Sequence, residues 1–267
     1  RKFPWWILAV IAVVVIIIGV IIYFVTRPPK RLLYYNNDTM GVTTLRVVFP
    51  DGKERQAFGQ NGYNAIWSPD GSKIAYVAYD GTSSEIYVVN ADGKNAPVNI
   101  TNYNKADENP IWSPDSRRIA FQSVRDVGDN WEVMVANADG SGTPISVSKD
   151  PGGDYQPQWS PDGRLIAFLS DRTGNAEVFV ANSDGSGTVR NLSNFSGSDH
   201  TIQWAPDSRR LAYLSYRTAN YDIFVVNADG SGAPINLSND PQQDYDPTWS
   251  PDSRMIAFRS YRNGNGD

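Results

Sequence analysis

From Leu32 onward, apolar residues come in short runs broken by polar clusters, and the repeat unit spanning Asp154 to Asn194 shows the pattern most clearly. Its runs "QPQW", "LIAFLS" and "EVFVANS" are short and apolar or alternating, the signature of strands buried on one or both faces. Ser160-Pro161-Asp162-Gly163 joins the first two as a tight turn, because Pro presets the second position and Asp and Gly suit those that follow. Asp184-Gly185 marks a second turn, and "TVRNLS" completes the unit as a weaker fourth strand. No stretch of this region carries the 3.6-residue apolar period of an amphipathic helix, so the pattern predicts an all-β domain over residues 32–267.

The first thirty residues follow another rule. "WWILAVIAVVVIIIGVIIYFV", Trp5 to Val25, holds no charged residue over 21 positions. At about 1.5 Å per residue it spans roughly 30 Å, the thickness of a bilayer core. Residues 5–26 are therefore expected to form one transmembrane α-helix, with residues 1–4 as a basic juxtamembrane segment and residues 27–31 as a Pro/basic linker. A cleaved signal peptide has a shorter apolar region of about 7–15 residues. Arg1 and Lys2 precede the helix while Arg27, Lys30 and Arg31 follow it, so local charge leaves the orientation open.

The strand pattern repeats. "WSPDGSKIAY" from Trp67, "WSPDSRRIAF" from Trp112, "WSPDGRLIAF" from Trp159, "WAPDSRRLAY" from Trp204 and "WSPDSRMIAF" from Trp249 stand 45, 47, 45 and 45 residues apart. A fixed period of this length signals repeat architecture. A four-stranded sheet of about 45 residues cannot bury both faces alone, so successive units must stack, which is how β-propeller blades are built. About five blades are visible, and the repeated tryptophan is expected to pack between them. Residues 31–58 read as the later strands of a blade that lacks its W-S-P-D strand, whereas the last unit stops before its third strand. Two explanations are open: N-terminal strands close the last blade, or the chain is a piece of a longer one, as its opening on Arg1 rather than methionine suggests.

The pattern W-S-P-D-[G/S]-[K/R]-x-[I/L]-A-[F/Y], followed by [I/V]-[Y/F/M]-V-[V/A]-N-[A/S]-D-G, resembles the WD-like propeller repeat of the TolB family. That resemblance covers nearly the whole chain from Leu32. It implies a bacterial β-propeller that binds a partner protein or peptide at its channel mouth. It also implies a periplasmic or extracellular location, here as a single-pass cell-membrane protein. Similar repeats form the gating propeller of prolyl-oligopeptidase-like hydrolases, and anchored propellers of this kind look like the sensor half of bacterial receptor kinases. A hydrolase downstream and a kinase upstream are therefore the rival readings.

Aligning the units on their tryptophans exposes a second recurrence. Asp107, Asp154, Asp199 and Asp244 stand five residues before the tryptophan, and Arg125, Arg172, Arg217 and Arg262 stand thirteen after it. The first unit breaks both rules, with Gly62 and Asp80. In a hairpin these positions are expected opposite each other, as ion pairs at one rim of the channel. Their neighbours Tyr63, Glu108, Tyr155, His200 and Tyr245 would form a polar, aromatic ring able to take a peptide or a cation.

Composition narrows the function further. With 24 Lys and Arg against 29 Asp and Glu the chain is mildly acidic, which argues against a nucleic-acid partner. There is no cysteine and a single histidine, His200, and no G-x-S-x-G elbow, so no triad can be proposed. The expected protein is a non-enzymatic binding scaffold or sensor without cofactor or metal.

Overall fold

The computed structural model describes residues 32–37, 43–48, 54–60, 62–125, 130–217, 220–262 and 264. The expected transmembrane helix over 5–26, with its flanking segments 1–4 and 27–31, lies outside these residues. No helix among the described residues is long and apolar enough to cross a membrane.

Four antiparallel, four-stranded sheets follow one another in the order of the chain. The first contains β4 (Gly62–Trp67), β5 (Lys73–Tyr79), β6 (Ser84–Asn90) and β7 (Val98–Asn99). The second contains β8 (Asp107–Trp112), β9 (Arg118–Val124), β10 (Trp131–Asn137) and β11 (Ile145–Ser146). The third is built from β12 (Asp154–Trp159), β13 (Leu165–Ser170), β14 (Glu177–Asn182) and β15 (Arg190–Asn191), and the fourth from β16 (Asp199–Trp204), β17 (Arg210–Tyr216), β18 (Tyr221–Asn227) and β19 (Ile235–Asn236). The weak fourth strand of the sequence pattern is weak here too, pairing over only two residues in each sheet.

Incomplete sheets flank this series. β1 (Leu32–Asn37), β2 (Thr43–Val48) and β3 (Glu54–Gln60) form a three-stranded sheet, as expected for the later strands of a blade. At the other end β20 (Asp244–Trp249) and β21 (Ile256–Ser260) form a hairpin sheet of their own. The two do not merge into one blade, since each already holds a counterpart of the second strand.

Each turn between a first and second strand follows from its sequence. In the third sheet the Gly163 amide donates to Ser160 O over 2.9 Å, with Gly163 at φ 73°. The Ser160 hydroxyl donates to Asp162 Oδ1 over 2.6 Å and accepts the Leu165 amide at 2.9 Å. Where the sequence has Ser in place of this Gly, at Ser116, Ser208 and Ser253, the residue still takes φ of 61–62°. A left-handed serine is strained, and in these three turns its hydroxyl accepts the amide of Asp70, Asp162 or Asp207 from the preceding sheet, over 3.0–3.1 Å.

The core lies between the sheets. Val77, Ile86 and Val88 pack with Trp112 and Phe121, while Val133, Val135 and Val147 pack with Trp159 and Phe168. A third cluster joins Val178 and Val180 to Tyr213 and Phe224. The repeated tryptophan sits at these junctions, as its recurrence predicts. Its indole N–H donates to a carbonyl of the preceding first strand: Trp112 to Ile66, Trp159 to Ile111, Trp204 to Gln158 and Trp249 to Gln203, over 3.1–3.3 Å. The first strands β4, β8, β12, β16 and β20 touch in sequence, so they line a common axis.

Candidate binding rim

At the end of the sheets where the first strands begin, burial and exposure alternate residue by residue. Asp107, Asp154, Asp199 and Asp244 are fully buried. The next residue in each strand, Glu108, Tyr155, His200 or Tyr245, is half-buried. Then comes an exposed residue at positive φ, where the register slips by a bulge: Asn109 (53°), Gln156 (51°), Thr201 (49°) and Asp246 (55°). Such a bulge redirects side chains toward the axis and marks a built feature of the strand. The first sheet repeats the shape with Gly62, Tyr63 and Asn64, the last at φ 49°.

The aspartates do not face arginines across the hairpin, and this corrects the expected register. Their partners are Ser123, Ser170, Ser215 and Ser260. Arg125, Arg172, Arg217 and Arg262 stand two residues further on, beyond the end of the ladder, and fold back. Arg172 Nη2 reaches Asp154 Oδ1 at 2.9 Å, and Arg125 and Arg262 approach Asp107 and Asp244 at 3.8 and 3.5 Å. The same guanidinium groups clamp the sheet behind: Arg172, Arg217 and Arg262 donate to the carbonyls of Ser148, Ser193 and Ser238 over 2.8–3.1 Å.

Arg217 departs from the set. No ion pair links it to Asp199 among the described residues; it donates instead to Tyr213 Oη at 2.9 Å and Ser215 Oγ at 3.0 Å. The reason is local, since the counterparts of Tyr213 in the second, third and fifth units are Phe121, Phe168 and Phe258, which offer no acceptor. Burial pushes the carboxyls of Asp107 and Asp199 up to about 6, and that of Asp154 upward as well, against the opposing pull of the serine hydroxyls and arginines. A second set of carboxylates lies on the third strands. Glu85, Glu177 and Asp222 are buried and hold the segment that leads to the next sheet: Glu85 accepts Thr101 Oγ1 at 2.7 Å, Glu177 the Phe195 amide at 2.6 Å, and Asp222 accepts Asn236 Nδ2 at 2.8 Å.

Two pairs of the predicted ring residues come together, Tyr63 with Glu108 and, through Tyr221, His200 with Tyr245, while Tyr155 stands apart. Tyr63 donates its hydroxyl to Glu108 Oε1 of the next sheet at 2.5 Å; burial and that carboxylate push its phenol up to about 12. Tyr155 donates to Asp171 Oδ2 at 3.0 Å, and Asp171 also takes the Gly153 amide at 2.7 Å. A Cβ at Gly153 would come within 1.8 Å of the Tyr155 hydroxyl, so a larger residue there would displace the Tyr155 ring from this position. His200 and Tyr245 belong to an aromatic group that sequence reasoning missed. Tyr221 lies 5.7 Å from His200, 5.1 Å from Tyr216 and 5.6 Å from Tyr245, which lies 6.1 Å from Tyr261. Tyr216, Tyr221 and Tyr261 sit on the second and third strands or just past them, so only stacking brings them to the ring. Arg259 lies 5.6 Å from both the Tyr245 and Tyr261 rings and pairs with Asp246 at 3.1 Å.

Among the described residues no three His, Cys, Asp or Glu side chains gather as a metal site would require. Comparison with curated proteins finds no match. Among solved structures, a protein assigned as TolB from Agrobacterium tumefaciens shares 21% identity at a TM-score of 0.54, over 87% of this chain and 91% of that one. An oligogalacturonate lyase solved with manganese shares 15% identity at a TM-score of 0.66, over 91% and 74% of the two chains. A puromycin-hydrolysing peptidase from Mycobacterium tuberculosis shares 16% at 0.60, and the 90% of this chain that aligns spans only 43% of the peptidase. These likenesses show the fold and leave activity open. The family model described as the TolB beta propeller domain matches residues 23–193, more than half of the chain. With sheets stacked as blades and that match, the chain belongs to the TolB β-propeller domain family.

Proposed function

We propose that this propeller is a non-enzymatic scaffold or sensor, anchored by residues 5–26 with its blades on the extracytoplasmic side, and that it binds a protein or peptide at the rim where its first strands begin. One contrast carries the reading. The positions that repeat from blade to blade, Asp, Ser, Arg and Trp, are spent on packing and on joining blades. The position after the buried aspartate, taken in the first unit by Tyr63 after Gly62, varies as Tyr, Glu, Tyr, His and Tyr, each half-buried or exposed. A constant frame that presents varied, polar and aromatic side chains is how repeat proteins build a binding surface.

The hydrolase rival draws on the likeness to the peptidase propeller, yet the single histidine, His200, lies against Tyr221. Photo-cross-linking in cells tests the proposal, with the reactive residue placed at Tyr155 or Tyr245 and, as control, at Arg164 in a turn of the opposite end. Discrete adducts from the rim positions alone are expected. Adducts only from Arg164, or none from any position, would overturn it.

A further inference from the structure

The rim gathers carboxylates, and among the described residues its basic groups are the four recurring arginines, Arg259, and Lys105 beside Tyr63. Glu85, Glu177 and Asp222 add three buried carboxylates to those of the four aspartates. Nearer the surface, Asp80 and Asp171 are exposed and Glu108 and Glu132 are half-exposed. Against them stand Arg172, Arg217 and Arg262, which bond backwards into the blade interface, and Arg125, which approaches Asp107; all four lie over aromatic rings. Arg125 is 4.0 Å from Tyr103, Arg172 is 4.6 Å from Phe179, and Arg217 is 4.3 Å from Phe224. The surface that remains combines phenol rings with carboxylates that keep lone pairs to spare. Glu108 and Asp171 each accept a tyrosine hydroxyl through one oxygen.

Both features favour the same ligand. Cations are drawn to the face of an aromatic ring and to carboxylates alike, and Arg259, held between Tyr245 and Tyr261 and tied to Asp246, already displays the mode within the chain. We infer that the rim ligand is an extended, cationic polypeptide segment, its Lys or Arg side chains set against Glu108 and Asp171 and over the Tyr216–Tyr221–Tyr245 rings. This rests on the rim being the binding surface and adds the charge class of what binds there.

The test uses the full chain in nanodiscs of uncharged lipid and three fluorescent peptides of equal length: alternating Lys-Ser, alternating Glu-Ser, and an uncharged Pro-rich sequence. Anisotropy is expected to show binding of the Lys-Ser peptide alone, weakening about tenfold as salt rises to a Debye length of about 4 Å. The double variant Glu108→Gln/Asp171→Asn and the variant Tyr221→Leu, each checked by its melting curve, should weaken it at least about fivefold. Asp92→Asn/Asp184→Asn, at the opposite end, should not.

Equal, salt-independent binding of the Pro-rich peptide would overturn the charge class. So would Lys-Ser binding that the rim variants leave unchanged. If rim cross-links form in cells while the Lys-Ser peptide fails to bind, the cationic assignment falls and the rim reading stands. If the rim cross-links also fail, both fall.

Discussion

Asp154 and Asp199 occupy the same place in successive blades and differ in one contact, so they separate geometry from composition. Arg172 holds Asp154 at 2.9 Å, while Arg217 has turned to Tyr213. The cycle Asp154→Asn, Arg172→Gln and the double variant should return a coupling of about 1–2 kcal/mol, and the matching cycle at Asp199 and Arg217 less than about 0.5 kcal/mol. Equal couplings would show that the pairing distances do not govern the energetics. The same carboxyls set a pH dependence. Asp107 and Asp199 titrate near 6 in the folded chain against about 3.9 when unfolded, so between those values the folded state binds more protons. Their contribution is complete below about pH 4 and lost as pH rises through 6. Denaturant melts should therefore show stability increasing from pH 7.5 to 5, by on the order of 1 kcal/mol for each group. Asp199→Asn should remove its share; an unchanged slope would reject the assignment. The Asp and Arg recurrences were legible in the sequence, and so was the clue to the correct register. The position eleven past the tryptophan reads Ser in four units and Ala78 in the first, the unit that also lacks the Asp and Arg. The switch of Arg217 was not legible from recurrence alone, since it depends on one phenol oxygen at Tyr213.

At the scale of the blade, turn and tryptophan do the joining. Trp159→Phe keeps most of the buried ring and deletes the N–H that reaches Ile111 O at 3.2 Å. It leaves a carbonyl without that partner, so a loss of about 1–2 kcal/mol is expected in thermal or denaturant melts. The turns offer a sharper comparison. In three of the four blade junctions a left-handed serine accepts an aspartate amide from the blade before; at the junction between the second and third blades the position is Gly163, whose added Cβ would meet only Pro114 Cδ, at 3.7 Å. Gly163→Ser would place a hydroxyl toward the Asp115 amide and offset the strain of φ 73°. Gly163→Ala carries the strain without the bond. The serine variant should melt within about 0.5 kcal/mol of the parent and the alanine variant about 1 kcal/mol below it; an identical loss for both would show that the inter-blade bond contributes nothing. Strands, turns and stacking residues were readable because each has a local cause: alternation, the demands of Pro and Gly, and a large ring at a fixed interval. The cluster of Tyr216, Tyr221, Tyr245 and Tyr261 has no such cause, because its members come from different strands of two blades and meet only after stacking.

For the whole molecule, the direction of the first strands decides which end faces where. Leu32 pairs with Val48, and Val48 with Glu54, while Thr44 pairs with Gln60 at the other end of the sheet. A single residue separates Gln60 from Gly62, where β4 begins at the rim. The chain therefore enters this sheet at the end opposite the rim, the end of the W-S-P-D turns. Joined to the proposed anchor by residues 27–31, which reach at most about 18 Å when extended, the turn face would lie beside the bilayer. The rim would stand about one strand length farther out, roughly 20 Å. A ligand held at the rim would then come from beyond the membrane layer that carries the anchor. The absence of cysteine makes this measurable, since a single introduced thiol is unique. Arg164 is 86% exposed at the turn end and Thr82 is exposed in a rim loop. With the full chain in nanodiscs carrying a headgroup quencher, a fluorophore at Arg164→Cys should be quenched strongly and one at Thr82→Cys weakly. The reverse order would refute the direction assigned to β1, and loss of the protein from the discs in an alkaline wash would refute the anchor itself.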